Sequence, residues 1–253
     1  MRTNTAKALL KAGKPAIGAW MNWPSVAGAE ALASIGWDWI NVDCEHGAID
    51  LETLQNMFIA IGANGTIPLV RVPWNDTVWI HRVLDAGAYG IIVPMINSRE
   101  QAEQAVKAAL YPPDGFRSAG GGRWRYWAGA DYGKHANEEI MVVVMIEHID
   151  AVNHAEEILS VPGVSACFIG PNDLAWSMGL SPNGPGMSDP SHEEAVQKVL
   201  KAAKKVGVPA GIHCFSAESV NARVAQGFQF CACMNDGAFM MKTATEAFNA
   251  LKR

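Results

Sequence analysis

"WDWINVDCEHGA", residues 37–48, runs from an apolar stretch straight into Asp43, Glu45 and His46. A continuous apolar run, without strict alternation, reads as a parallel strand covered on both faces. Here it delivers ionisable side chains at its C-terminal end. The pattern recurs along the chain. Further strands are predicted at "PAIGAW" (15–20), "IPLVR" (67–71), "GIIVP" (90–94), "IMVVVMIE" (140–147), "SACFIG" (165–170), "VPAGIH" (208–213) and "FQFCACM" (228–234). Helical patterns lie between them. Residues 51–62 place Leu51, Leu54, Met57, Phe58 and Ile61 on one face. Residues 191–206 open with a Ser cap and "SHEE", a capping-box pattern, and "SAES" at 216–219 opens another helix that Gly227 closes. Eight strands and about eight helices in 253 residues fit one (β/α)8 TIM barrel spanning 1–253. A doubly wound sheet would want a Gly-rich turn after its first strand, and "GAWMNWPSVAG" has no G-x-G-x-x-G. Two segments read as long loops, 111–139 and 181–190.

Composition narrows the function. With 49% apolar residues the chain can bury a sizeable core. A net charge of -5 without a basic stripe speaks against a nucleic-acid partner. No apolar run approaches the roughly 18–20 residues of a membrane span, and "MRTNTAKALLKAGKPA" lacks the apolar core of a signal peptide, so a cytoplasmic location is expected. Cys44, Cys167, Cys214, Cys231 and Cys233 sit mostly in strand-like runs and read as buried free thiols.

Barrel active sites lie at the C-terminal ends of the strands. The residues closing the predicted strands are therefore the candidates: Asp43, Glu45 and His46 after the second, Arg71 at the third, Pro94 at the fourth, Glu147 at the fifth, Asp173 after the sixth, His213 at the seventh, and Asn235 and Asp236 near the end of the eighth. Glu147 and Asp173 follow neighbouring strands and suit a hard divalent ion such as Mg2+ or Mn2+; an arginine pairing or helix cap would explain them as well. Arg71 is a candidate anion clamp, or else a rim salt bridge. His46 reads as a base, a metal ligand or a structural imidazole, and His213 as pocket lining. His81, His135, His154 and His192 fall on helices or loops and are expected at the surface. No lysine closes a predicted strand, so a Schiff-base mechanism has no nucleophile here.

"WDWINVDCEHGAID", "PLVRVPWND", "LDAGAYGIIVPMINS", "YPPDGFRS", "VMIEHIDAV" and "VSACFIGPNDLAWSMG" together resemble the HpcH/HpaI family of metal-dependent (class II) pyruvate aldolases, from about Ile17 to the C-terminus. The resemblance implies a pyruvate-type barrel that reversibly cleaves a 4-hydroxy-2-oxo acid to pyruvate, or an analogue such as hydroxypyruvate, and an aldehyde through an enolate. It implies a divalent ion (Mg2+, Mn2+ or Co2+) on Glu147 and Asp173. The backbone of Asn172 and Asp173 would meet the substrate carboxylate and Arg71 the enolate oxygen. His46 would be the base, Asp85 of "LDAGA" would raise its pKa, and Asp43 would orient the site.

The chain departs from the family at Met145, where a substrate-contacting Gln often stands two residues before the metal-binding Glu. Asp85 reads as the end of a helix, on the far side of its own barrel, so a pairing with His46 requires either a different local structure or a neighbouring subunit. Segment 111–139, with Arg117, Arg123, Arg125, Trp124 and Trp127, is expected to cover an active site, its own or a neighbour's, or to pack subunits together. The family is typically hexameric, and "GAFMMKTATEAFNALK" is apolar enough to pack on a neighbour. Oxaloacetate decarboxylation and CoA-ester cleavage are alternatives on the same fold. A non-catalytic small-acid-binding barrel is the alternative of another class.

Overall fold

The computed structural model describes residues 1–182 and 188–252. Half of the predicted 181–190 loop, residues 183–187, lies outside them. The strands are β1 (Ala16–Met21), β2 (Trp39–Asp43), β3 (Ile67–Arg71), β4 (Gly90–Val93), β5 (Met141–Met145), β6 (Ala166–Ile169), β7 (Ala210–Cys214) and β8 (Phe230–Asn235). They close into a barrel in sequence order, every neighbouring pair parallel, with β8 back on β1. Each matches a predicted strand to within about two residues at either end. β2 to β6 are buried along their whole length, as strands covered on both faces must be.

The helices are α1 (Thr5–Lys11), α2 (Val26–Ala33), α3 (Leu51–Ala63), α4 (Thr77–Asp85), α5 (Arg99–Ala109), α6 (Trp124–Trp127) and α7 (Tyr132–Glu139). They continue as α8 (Ile149–Asn153), α9 (Ala155–Leu159), α10 (Pro171–Ser177), α11 (Pro190–Val206), α12 (Ala217–Gln226) and α13 (Asp236–Ala250). Their ends follow local chemistry. Ser216 and Ser219 form the capping box that starts α12, and Gly227, at φ 105°, ends it in the left-handed region that glycine adopts freely. α11 starts earlier than predicted. Its N-cap is Asp189, accepting from Ser191 N–H, and Pro190 takes the first helical position, where a missing N–H costs nothing. His192, expected at the surface, is buried against the Pro171 carbonyl, 2.9 Å from its Nε2.

A small residue on β1 makes room for a large one on β2. A Cβ on Gly18 would fall 2.1 Å from the Trp39 indole. The missing side chain lets Trp39 lie across β1, donate to the Ala16 carbonyl (3.1 Å) and stack on Phe230 at 4.3 Å between centroids. All five cysteines are buried and free. Among the described residues no helix is long and apolar enough to cross a membrane.

The long segment after α5 returns the chain to the start of β5, so it lies at the N-terminal end of the barrel. Gly122 and Arg123 pack on the end of α4, where Arg123 N–H donates to the Asp85 carbonyl (2.8 Å). These contacts hold the segment at the barrel base, away from its own active site, which leaves the expectations of a neighbour's site or of subunit packing.

Candidate active site

Asp43 and Arg71 are direct register partners on parallel strands, so both side chains leave the sheet on the same side. Asp43 is fully buried and saturated. It accepts from Arg71 Nε (2.9 Å) and Nη2, Trp20 Nε1 (3.1 Å), Asn22 Nδ2 (2.8 Å), and the backbone N–H groups of Glu45 (3.0 Å) and His46 (3.3 Å). Burial alone would raise its pKa. The hydrogen bonds and charge of Arg71 outweigh burial and hold it below the usual carboxylate range. Asp43 thus positions two things at once: the guanidinium and the turn that carries His46. Arg71 Nη1 completes the cluster with an ion pair to Glu45 at 2.9 Å, and the Trp20 ring lies 5.2 Å from the guanidinium carbon. The rim salt bridge and the cleft-facing guanidinium are the same residue. His46 is the exposed member of the turn, its side chain 62% accessible and its Nε2 3.9 Å from Glu45.

Glu147 stands two residues beyond β5 and is buried. Its Oε1 accepts from the Met95 N–H (2.9 Å), which the left-handed turn at Met95 (φ 54°) aims at it. Its Oε2 is buried with no hydrogen-bond partner. Burial, reinforced by the charge of Asp173, pushes its pKa up to about 8 despite the Met95 bond. A Cβ on Gly170 would sit 2.2 Å from that free oxygen, so the glycine keeps a space open there. A buried carboxylate oxygen without a donor, next to a second carboxylate, is a site that wants a cation. The donor set fits a hard divalent ion whose other positions are filled by water or substrate oxygens. Among the described residues no group of three or more His, Cys, Asp or Glu is arranged to hold a metal, so any ion here rests on these two carboxylates.

Asp173 and Asn172 occupy the first turn of α10, after Pro171 at its first position. The Gly170 cap supplies no side-chain acceptor, so the N–H groups of this turn face the cleft unclaimed by a cap. The cleft measures about 190 Å3 and brings together Asp43, His46, Arg71, Asn172, Asp173 and His213. A larger cavity, about 840 Å3, lies at the opposite end of the barrel beside Asp85, Arg123 and Trp127. It contains neither of the carboxylates suited to a cation, whereas the smaller cleft holds Asp173 and Gly170, against which Glu147 Oε2 lies.

Asp85 is the predicted site residue that this chain does not bring to the cleft. It is the last residue of α4 and pairs with the buried Arg117, whose Nη2 donates to Asp85 Oδ1 at 2.9 Å. Trp20 and Asn22 were not anticipated. They follow the strand-end rule like the others, and the closing residues of the first predicted strand carried the signal. Asp236 likewise accepts from the backbone of Asn22 (3.1 Å) and Trp23 (3.0 Å), tying the start of α13 to the end of β1.

A closed parallel barrel with two carboxylates, a guanidinium and an imidazole at the C-terminal rim, and no lysine among them, has the layout of an enzyme that works on an oxo acid without a Schiff base. Residues 16–243 match the HpcH/HpaI aldolase/citrate lyase family. The chain belongs to that family and is a carbon–carbon lyase. It is 39% identical to a hydroxypyruvate/pyruvate aldolase of Sagittula stellata, over 98% of this chain and 97% of the relative. It is 34% identical to a 4-hydroxy-2-oxo-heptane-1,7-dioate aldolase of Escherichia coli, over 95% and 92%. A solved HpcH/HpaI aldolase/citrate lyase family protein from Burkholderia cenocepacia superposes with a TM-score of 0.92 at 32% identity, covering 98% of both chains.

Proposed function

We propose that the protein is a divalent-metal-dependent aldolase that cleaves a 4-hydroxy-2-oxo acid to pyruvate, or a close analogue such as hydroxypyruvate, and an aldehyde. The observation that carries the reading is the unpartnered, buried Glu147 Oε2, set against Gly170 of the cleft that also holds Asp173, Arg71 and His46. Glu147 and Asp173 would hold a divalent ion, which would supply Lewis-acid stabilisation of the enolate.

The chain's own residues do the rest. The first-turn N–H groups at Asn172 and Asp173 receive the substrate carboxylate, where the helix dipole favours an anion. Arg71, held rigid by Asp43, faces the oxygen on which charge develops. His46 takes the proton of the C4 hydroxyl. The C3–C4 bond then breaks, its electron pair passing into the enolate as the aldehyde leaves. A proton delivered to C3 gives pyruvate, and the reverse sequence condenses the two.

Asp85 enters this scheme through a second copy of the chain. The protein assembles as an oligomer, a hexamer in keeping with its family, in which the barrel base of one subunit brings Asp85 to the His46 of another. Support comes from the unburied apolar residues at both ends: Tyr126 near the base, and Met240 and Met241 on α13, a helix with no buried residue. A coupled lactate dehydrogenase assay tests the activity. With Mg2+ or Mn2+ and a 4-hydroxy-2-oxo acid, pyruvate should appear, and EDTA should stop it. Pyruvate release that survives EDTA would sink the metal-dependent reading.

A further inference from the structure

The cleft also defines what its aldehyde looks like. Glu147 and Asp173 fix the donor at β5 and β6, while His46 approaches from β2. The wall left for the acceptor runs along β7, β8 and β1. It is built from His213, Phe215, Asn235 and Trp20. The His213 ring stands at 90° to Trp20, 5.7 Å between centroids, and at 69° to Phe215, 5.3 Å away. Two aromatic contacts therefore fix its orientation. Burial, together with the nearby Arg71 charge, lowers its pKa to about 4, so it is a neutral imidazole near pH 7 with one donor and one acceptor to offer.

Met145 and Phe168 make the floor apolar, so the His213 side of the cleft is where an acceptor hydroxyl finds a neutral polar partner.

We propose that His213 is the specificity-determining residue of the acceptor subsite, and that it selects a short hydroxyl-bearing aldehyde over an alkyl aldehyde of the same size. The inference rests on the aldolase reading, and the test separates the two. The Mg2+-loaded protein is first given pyruvate alone in D2O. Deuterium entering the methyl group reports the enolate half-reaction, and its absence would overturn the aldolase reading itself. Condensation of pyruvate with glycolaldehyde and with propanal is then compared. Wild type should favour glycolaldehyde by about three- to tenfold in kcat/KM. In His213→Leu and His213→Phe the glycolaldehyde-to-propanal ratio should drop about three- to tenfold, the loss of one hydrogen bond between neutral groups. His213→Gln should restore most of it. If one apolar variant fails to fold, the other decides. A glycolaldehyde-to-propanal ratio indifferent to the loss of the imidazole would overturn the proposal.

Discussion

Gly170 shows how little separates an open coordination space from a closed one. Its missing Cβ is the reason Glu147 Oε2 has room beside it, 2.2 Å from where that carbon would stand. Gly170→Ala should push the carboxylate aside and weaken Mn2+ binding by about 10- to 100-fold, the usual cost of disturbing what orients a ligand. Calorimetric titration with Mn2+ on the folded variant checks this, and unchanged affinity would remove Glu147 from the ligand set. Arg71 makes the complementary point. Lysine keeps the charge but cannot fork onto Asp43 while also facing Glu45 and the cleft. Arg71→Lys should lower kcat by about 10²-fold, in the range seen when one oriented donor is lost from a developing oxyanion. A KM defect with normal kcat would assign Arg71 to ground-state binding instead. Glu45 had no role discernible from sequence. Its contact with Arg71 depends on a turn that the Asp43 side chain itself organises, which residue spacing alone does not reveal.

The strands and the helix caps belong to a second scale, at which the sequence was most readable. Parallel strands buried on both faces leave continuous apolar runs, so all eight could be placed from hydrophobicity, and their closing residues pointed to Arg71, Glu147 and Asp173. The failures have physical reasons. His192 looked like a surface residue because its partner, the Pro171 carbonyl, is 21 positions away. Register was invisible too, although it makes Asp43 and Arg71 a pair. Two element-level outcomes follow. Gly18→Ala should overpack the barrel against Trp39 and cost about 1–3 kcal/mol in urea unfolding. At the end of β7, His213 has a folded pKa of about 4 against an ordinary 6.5. The folded state resists a proton that the unfolded chain accepts, so this contribution is intact above pH 6.5 and is lost as the pH falls toward 4. The full loss is about 3 kcal/mol. His213→Leu should flatten the acid side of the stability curve measured between pH 7 and 4.5. An identical acid limb in wild type and variant would show that the imidazole is not buried in its neutral form.

At the scale of the whole molecule, the chain separates two groups that its proposed chemistry joins. His46 sits at the C-terminal rim, while Asp85 sits at the barrel base, paired with Arg117. The Arg117 side chain is buried, also donates to the Tyr132 hydroxyl (2.8 Å), and holds Asp85 half-exposed at the edge of the large basal cavity. A carboxylate so firmly placed, yet far from its own rim, is well prepared to act on another subunit. The expectation can be tested by complementation, because the two residues would lie on different chains. His46→Ala and Asp85→Ala should each be impaired as a pure oligomer. When the two are dissociated, mixed in equal amounts and reassembled, a site works where an Asp85→Ala subunit supplies the imidazole and a His46→Ala subunit supplies the carboxylate. Random assortment makes about one site in four of this kind, so roughly a quarter of wild-type turnover should return. Recovery at that level requires Asp85 to cross a subunit boundary. Activity no greater than the sum of the two parents would confine Asp85 to its structural bond with Arg117 and leave His46 to act without it.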